Sequence, residues 1–171
     1  MQARMTLRAI PGGDAGVLSS TLPTLAALVR SARAQPEVRN AAAYLVAHCR
    51  GDDSLCRQAR LYKWVKRNVR FVPDPRKVEL IQEPRLLLAS IARHGWAAGD
   101  CDDMTALLAS LLEAVGTKTR LVVVATDPGP VRRLRHVYVE AQQTTGAWLR
   151  LDPLGERFPP AGFTRRIVVE V

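Results

Sequence analysis

From Met104 onward the apolar positions fall at Met104, Leu107, Leu108, Leu111, Leu112 and Val115. That is the i, i+3, i+4 spacing of a helix with one buried face. Asp100 precedes this run and can cap its first backbone N–H groups, and Gly116 stands where the helix ends. The same spacing predicts three earlier helices. One runs over 20–33, with Ser19 or Ser20 as cap and Leu25, Leu28 and Val29 inward. The second opens at Pro36, and the third covers 55–70, with Leu55, Leu61, Trp64, Val65 and Val69 inward. A shorter helix follows Glu83-Pro84, and His94 to Gly99 reads as a loop leading to Asp100.

Past Gly116 the period drops to two or becomes a continuous apolar run. Residues 121–125 predict a buried central strand, and 135–142, 147–151 and 167–171 three more. Turns are expected at 127–130 and 144–146, and Pro153, Pro159, Pro160 and Gly162 mark a loop. Residues 4–9 could add an edge strand, closed by Pro11-Gly12-Gly13. Helices first and an antiparallel meander afterwards make an α+β fold, N-terminal helices packed on a sheet. One domain over 1–171 is expected, since 171 residues, 47% of them hydrophobic, can bury a core.

The hairpin brings chemistry together. His136, Tyr138 and Glu140 alternate onto one face of their strand, and Trp148, Arg150 and Asp152 onto one face of the next. A turn symmetric about Thr144 would pair Glu140 with Trp148, Tyr138 with Arg150, and His136 with Asp152, the last close enough for an imidazole–carboxylate hydrogen bond. Cys101 sits in the first turn of the helix after Asp100, where exposed N–H groups and the helix dipole favour a thiolate. Asp100, Asp102 and Asp103 push the opposite way. A cysteine, a histidine and a carboxylate form a nucleophile, a base and an orienting group if the fold brings them together. The duller alternative is a buried small cysteine and a histidine packed in a sheet.

Composition narrows the rest. The formal charge is +9, with basic residues spread over nearly every element and no interleaved exposed aromatics in the densest groups, so solvated surface is expected and nucleic acid is not. Three cysteines without framework spacing predict reduced thiols in the cytoplasm; His48, Cys49 and Cys56 lack zinc-site spacing, and no metal or cofactor is expected. His94 reads as a loop residue. No apolar run approaches a membrane span of roughly 20 residues, and residues 1–13 hold no signal-peptide core.

Gly99-Asp100-Cys101-Asp102-Asp103, Ala106-Leu107-Leu108 through Gly116, His136-Val-Tyr-Val-Glu140 and Trp148-Leu-Arg-Leu-Asp152-Pro153, preceded by Trp64-Val-Lys-Arg-Asn-Val-Arg-Phe71-Val-Pro-Asp74, resemble the transglutaminase-like superfamily, which shares its core with papain-like cysteine proteases. The resemblance spans about 55–153, leaving 1–54 and 154–171 outside. It implies Cys101 as nucleophile, His136 as general base and acid, and Asp152 as orienting residue. The implied activity is thiol acyl transfer on amide bonds of a protein or peptide, as peptidase, amidase or transglutaminase, through a thioester. The Cys101 N–H is the first oxyanion donor, with Gln82 or Trp96 as second; Trp96, Tyr138 and Trp148 can also wall the cleft. The short basic form further resembles proteins of phage and prophage genomes. The rival expectation is therefore a virion component, of tail or head completion, that keeps this fold among other phage structural proteins.

Overall fold

The computed structural model describes residues 6–8, 16–51, 53–75, 79–125, 134–155 and 166–171. The turns expected at 11–13 and 127–130, and the loop positions Pro159, Pro160 and Gly162, lie outside them. In chain order the described elements are β1 (Thr6–Arg8), α1 (Leu22–Ala32), α2 (Pro36–Val46), α3 (Ser54–Asn68), β2 (Val69–Phe71), β3 (Glu79–Ile81), α4 (Pro84–His94), β4 (Ala97–Gly99), α5 (Cys101–Ala114), β5 (Thr119–Ala125), β6 (Leu134–Gln142), β7 (Trp148–Leu151) and β8 (Arg166–Glu170).

The helix boundaries follow local chemistry. Gln35 and Glu83 are extended ahead of Pro36 and Pro84, because a residue before proline avoids the helical region. Asp53 caps α3 by accepting from the Cys56 N–H at 2.8 Å. Gly116, at φ +78°, ends α5: the Thr117 N–H reaches Leu112 O and the Gly116 N–H reaches Glu113 O, both at 3.0 Å, which is the Schellman arrangement. The first helix departs from expectation. A π-type turn over Val17–Thr21 runs directly into α1, so Ser19 and Ser20 lie inside helical backbone and neither caps it.

Helix α5 is buried on every side from Asp102 to Leu112 and is the axis on which the fold is built. Helices α1, α2 and α3 pack on one side of it and strands β5 and β6 on the other. The main sheet is antiparallel in the order β7-β6-β5-β8. Its helix-facing side carries Leu121, Val123, Val137, Val139, Ala141 and Leu151, all in the main core with Leu107, Leu108 and Leu111. The other side holds Val122, Val124 and Tyr138 as a separate small cluster.

Two further strand pairs frame the start of α5. Strand β1 pairs antiparallel with β3, and β2 pairs parallel with β4, placing Phe71 opposite Gly99. The expected loop at 94–99 thus contains a strand. Its sequence, Ala-Ala-Gly, has no β-branched residue and no alternation to announce it.

Helix α3 buries Leu61 and Val65 but leaves Leu55 exposed, at 58%. At 100° per residue Leu55 stands well off the Leu61–Val65 stripe, whereas Gln58 lies on it and is wholly buried. The Gln58 amide is satisfied across the core, donating to Gln142 O at 3.1 Å and accepting from Gln143.

Cys49 and Cys56 are joined in a disulfide, with Cα atoms 5.8 Å apart. This corrects the expectation of reduced thiols. The short connector from α2 to the Asp53-capped first turn of α3 brings them together, so the odd cysteine count resolves into one pair and the free Cys101. The ground for expecting a reducing compartment goes with it. Among the described residues no helix is long and apolar enough to cross a membrane.

Candidate active site

Strand β4 delivers the chain to Asp100, which is extended and caps α5 reciprocally with Asp103. The Asp100 carboxylate accepts from the N–H groups of Asp102 (3.0 Å) and Asp103 (3.4 Å), and Asp103 Oδ2 accepts from the Asp100 N–H (3.4 Å). Asp103 is held from a second side by Gln82. The Gln82 N–H donates to Oδ1 at 2.8 Å, and its Nε2 donates to Oδ2 at 2.7 Å and to Ala98 O at 3.0 Å. Burial, and next the charges of Asp103 and Asp74, push the Asp100 carboxyl up to about 7. Burial pushes Asp103 up to about 6 against the opposing hydrogen bonds from Gln82.

Cys101 is half-buried at the first helical position of α5. Its thiol lies 3.5 Å from Asp102 Oδ1. One turn later, Thr105 Oγ1 donates to the Val137 carbonyl at 3.1 Å. Thr105 thus ties α5 to the Val137 peptide position of β6, one turn after Cys101. That position is available because β7 ends at Leu151, opposite Val139, and leaves the β6 edge at Val137 uncovered by the sheet.

The expected thiolate is not the resting form. Burial first, then the charges of Asp102 and Asp100, raise the Cys101 thiol well above its ordinary value. The helix end supplies only partial positive charge, and burial together with the Asp102 and Asp100 carboxyls of the same turn opposes it.

His136 adjoins Val137 on the other face of β6 and is 1% exposed. Its Nε2 lies 2.9 Å from Asp152 Oδ2. Asp152 is gripped from several directions: Arg150 Nη2 reaches the same Oδ2 at 2.5 Å, the Leu154 N–H reaches Oδ1 at 3.0 Å, and the Tyr62 hydroxyl donates to the Asp152 carbonyl at 3.2 Å. Burial alone would raise the Asp152 carboxyl; the His136 and Arg150 contacts outweigh it and hold the group below the usual carboxylate range. An ionised carboxylate only accepts, so Nε2 carries a hydrogen toward Asp152.

The hairpin register differs from the expected one by two residues. Glu140 stands opposite Arg150 and Gln142 opposite Trp148, so the turn is centred one position later. A shift of two preserves the face of every side chain. Asp152, just beyond the end of β7, reaches His136 diagonally instead of head-on, a separation that cross-strand geometry allows at roughly 7–8 Å between backbones. The register breaks between Val124 and Ala125 of β5, where β6 carries one extra residue, Arg135, between Leu134 and His136; this bulge in β6 reshapes the ladder at this point.

The weaker cleft candidates divide. Gln82 spends both Nε2 hydrogens on Asp103 and Ala98, so it clamps the helix start and is not poised as an oxyanion donor. Trp96 is exposed at 38% under the Arg70 guanidinium, 4.3 Å from its ring centre. Tyr138 is buried beside His136, ring centres 6.2 Å apart, beneath Arg150; Trp148 is half-buried beneath Arg120. Both aromatics are thus covered by arginines. His48 and His94 are exposed on separate helix ends. Asp100, Cys101 and Asp102 bring ligand-type atoms within 4.8 Å of one another, an arrangement the helix cap explains.

Sequence reasoning missed Thr105, the Gln82–Asp103 clamp and the contact of Arg150 with Asp152. The i, i+4 spacing of Cys101 and Thr105 and the i, i+2 spacing of Arg150 and Asp152 were the available signals.

The transglutaminase-like superfamily model matches residues 39–153. No curated protein matches. Among solved structures, a "putative protease" from Parabacteroides distasonis superposes with a TM-score of 0.56 at 17% identity, over 80% of this chain and 27% of that one. A "putative cysteine protease" from Cytophaga hutchinsonii gives 0.52 at 16% identity, over 78% of this chain and 46% of the other. The chain therefore spans about a quarter of one neighbour and under half of the other, and at these identities the likeness is one of fold. The extent of the family match, running from α2 through the residues that follow β7, decides the assignment: the chain belongs to the transglutaminase-like superfamily.

Proposed function

We propose that the chain is a cysteine-dependent acyl-transfer enzyme acting on amide bonds of a protein or peptide, with Cys101 as nucleophile, His136 as base and acid, and Asp152 as the residue that orients His136. The observation that carries this reading is the buried His136–Asp152 pair, Nε2 to Oδ2 at 2.9 Å, in a chain whose free cysteine opens α5.

Because the resting thiol is protonated, the attack is base-assisted. His136 Nδ1 takes the proton as the sulfur adds to the carbonyl carbon, and Asp152 stabilises the resulting imidazolium. The amide C–N bond then breaks, the imidazolium protonates the departing nitrogen, and a thioester remains. Water yields hydrolysis; an amine yields transfer. The developing oxyanion meets the Cys101 N–H, which the Asp100 carboxylate leaves at the helix mouth while it takes those of Asp102 and Asp103.

p-Nitrophenyl acetate tests the core of this scheme without knowledge of the natural substrate. The expected result is a stoichiometric burst of p-nitrophenolate with the acetyl group mapped to Cys101, abolished by Cys101→Ala and slowed about a hundredfold or more by His136→Ala. Acylation that is insensitive to His136→Ala refutes the triad and favours a fold kept for assembly.

A further inference from the structure

We propose that Arg150 is a positioning residue of this site: by sharing the Asp152 carboxylate oxygen with His136, it sets the pH at which His136 can take the Cys101 proton. The inference rests on the acyl-transfer reading above and adds to it a residue that the Cys–His–Asp pattern does not require.

The geometry is specific. Arg150 Nη2 and His136 Nε2 both meet Asp152 Oδ2, at 2.5 and 2.9 Å. A carboxylate oxygen that accepts from a permanent cation has less negative charge to offer an imidazolium on the same atom. Arg150 is itself fixed, stacked 4.4 Å from the centre of the Tyr138 ring, which is buried beside His136. Tyr138 in turn is hydrogen-bonded by Arg166, Arg166 pairs with Glu140 at 2.6 Å, and Glu140 pairs with Arg120 at 2.6 Å. The outer face of the sheet is thus one connected layer of arginines, aromatics and carboxylates ending at Asp152. A guanidinium held this way cannot relax away when the imidazole becomes charged.

The groups around the His136–Asp152 pair come from several elements. Arg150 belongs to β7, Tyr138 and Glu140 to β6, Arg166 to β8 and Arg120 to β5; Tyr62 comes from α3, and Cys101, Asp100 and Asp102 from α5. Arg150 is the cation among them whose side chain reaches the Asp152 carboxylate. Its side chain is 23% exposed, at the rim of the pair it contacts.

The test is the pH profile of Cys101 acetylation by p-nitrophenyl acetate in the folded chain. Arg150→Met keeps the apolar stem over Tyr138 and removes the charge. The midpoint of the low-pH limb should move up by about one pH unit, so that acetylation well below the midpoint slows about tenfold. Arg150→Lys should return the midpoint to the wild-type position. A uniform loss of rate at every pH, with the midpoint unmoved, would overturn the proposal and leave Arg150 a structural ion pair. His136→Ala separates the two readings. If it abolishes the limb while Arg150→Met leaves the limb in place, only the Arg150 proposal fails. If it leaves the limb untouched, the triad itself fails.

Discussion

Gly99 is where the fold leaves least room beside the candidate nucleophile. A Cβ added there would stand 2.8 Å from Asp103 Cβ and 2.9 Å from Asp103 Oδ2. The contact with Oδ2 could be eased by turning the Asp103 side chain, but the contact with Cβ could not, because Cβ moves only with the backbone. Gly99→Ala must therefore push β4 and the first turn of α5 apart by about half an ångström, or unseat Asp103. Overpacking of this kind costs about 1–3 kcal/mol. Unseating Asp103 also weakens its charge-assisted bonds from Gln82, at 2.7 and 2.8 Å, each worth roughly 1.5–3 kcal/mol. The reduced freedom of the unfolded chain offsets less than about 1 kcal/mol. A net destabilisation of about 3 kcal/mol is expected, read from urea unfolding followed by circular dichroism.

A second substitution isolates the cause. In an Asp103→Gly background there is no Cβ to strike, and Gly99→Ala should cost under about 1 kcal/mol; the difference is the coupling between the two positions. Because the shift falls one residue before Cys101, the acetylation burst of the Gly99→Ala protein should also slow by at least about tenfold. A Gly99→Ala protein within about 0.5 kcal/mol of wild type, or one destabilised equally in both backgrounds, would refute the reasoning.

Two further outcomes follow from the charge and disulfide arrangements. Asp100 and Asp103 titrate at about 7 and about 6 in the folded chain against an ordinary value of 3.8. The native state thus binds more protons than the unfolded one between about pH 4 and 7, and stability falls as pH rises through that window, by at most about 1.4 kcal/mol per unit for one group. Asp152, held low, works in the opposite sense and withdraws its contribution only below the ordinary carboxylate range. The urea midpoint should be higher at pH 5 than at pH 8, and Asp100→Asn should flatten the difference; a midpoint that climbs from 5 to 8 contradicts the assignment. Replacing both Cys49 and Cys56 by serine should cost about 2.5 kcal/mol from loop-closure entropy alone, and thiol titration of the unfolded, unreduced wild type should count a single thiol, on Cys101.

Where the chain obeyed short-range rules, its sequence was informative. Prolines 36 and 84 and Asp53 mark helix starts because each acts within one turn, and the alternation in 134–142 declares its faces because one side packs on α5. Long-range terms erased the signal elsewhere. Strand β4 exists because β2 lies alongside it, not because Ala-Ala-Gly prefers to be extended. Gln58 is buried because Gln142 and Gln143, more than eighty residues away, satisfy its amide. The thiol at the helix start is neutral because burial and two carboxylates outweigh the dipole, and neither burial nor the direction of an aspartate is written in a spacing.

The two-residue register shift explains how the candidate triad could be read from a partly wrong hairpin. With Glu140 opposite Arg150, β7 runs out before it could place Asp152 in the ladder. The carboxylate leaves the strand on the expected face and finds His136 from beyond the edge. A shift of one would instead have turned Asp152 toward the leucines of α5, where an unpaired carboxylate costs several kcal/mol. Parity was therefore the strongly specified quantity, because the core enforces it, while the alignment within that parity was left to the turn. The same shift also decides which neighbours the site acquires. It ends β7 early, leaves the Val137 carbonyl to Thr105 of α5, and stands Arg150 beside Asp152 with its guanidinium on the oxygen that His136 also uses. The shared face of His136 and Asp152 follows from the alternation of the strands, but the contact of Arg150 with Asp152 follows from where one strand stops.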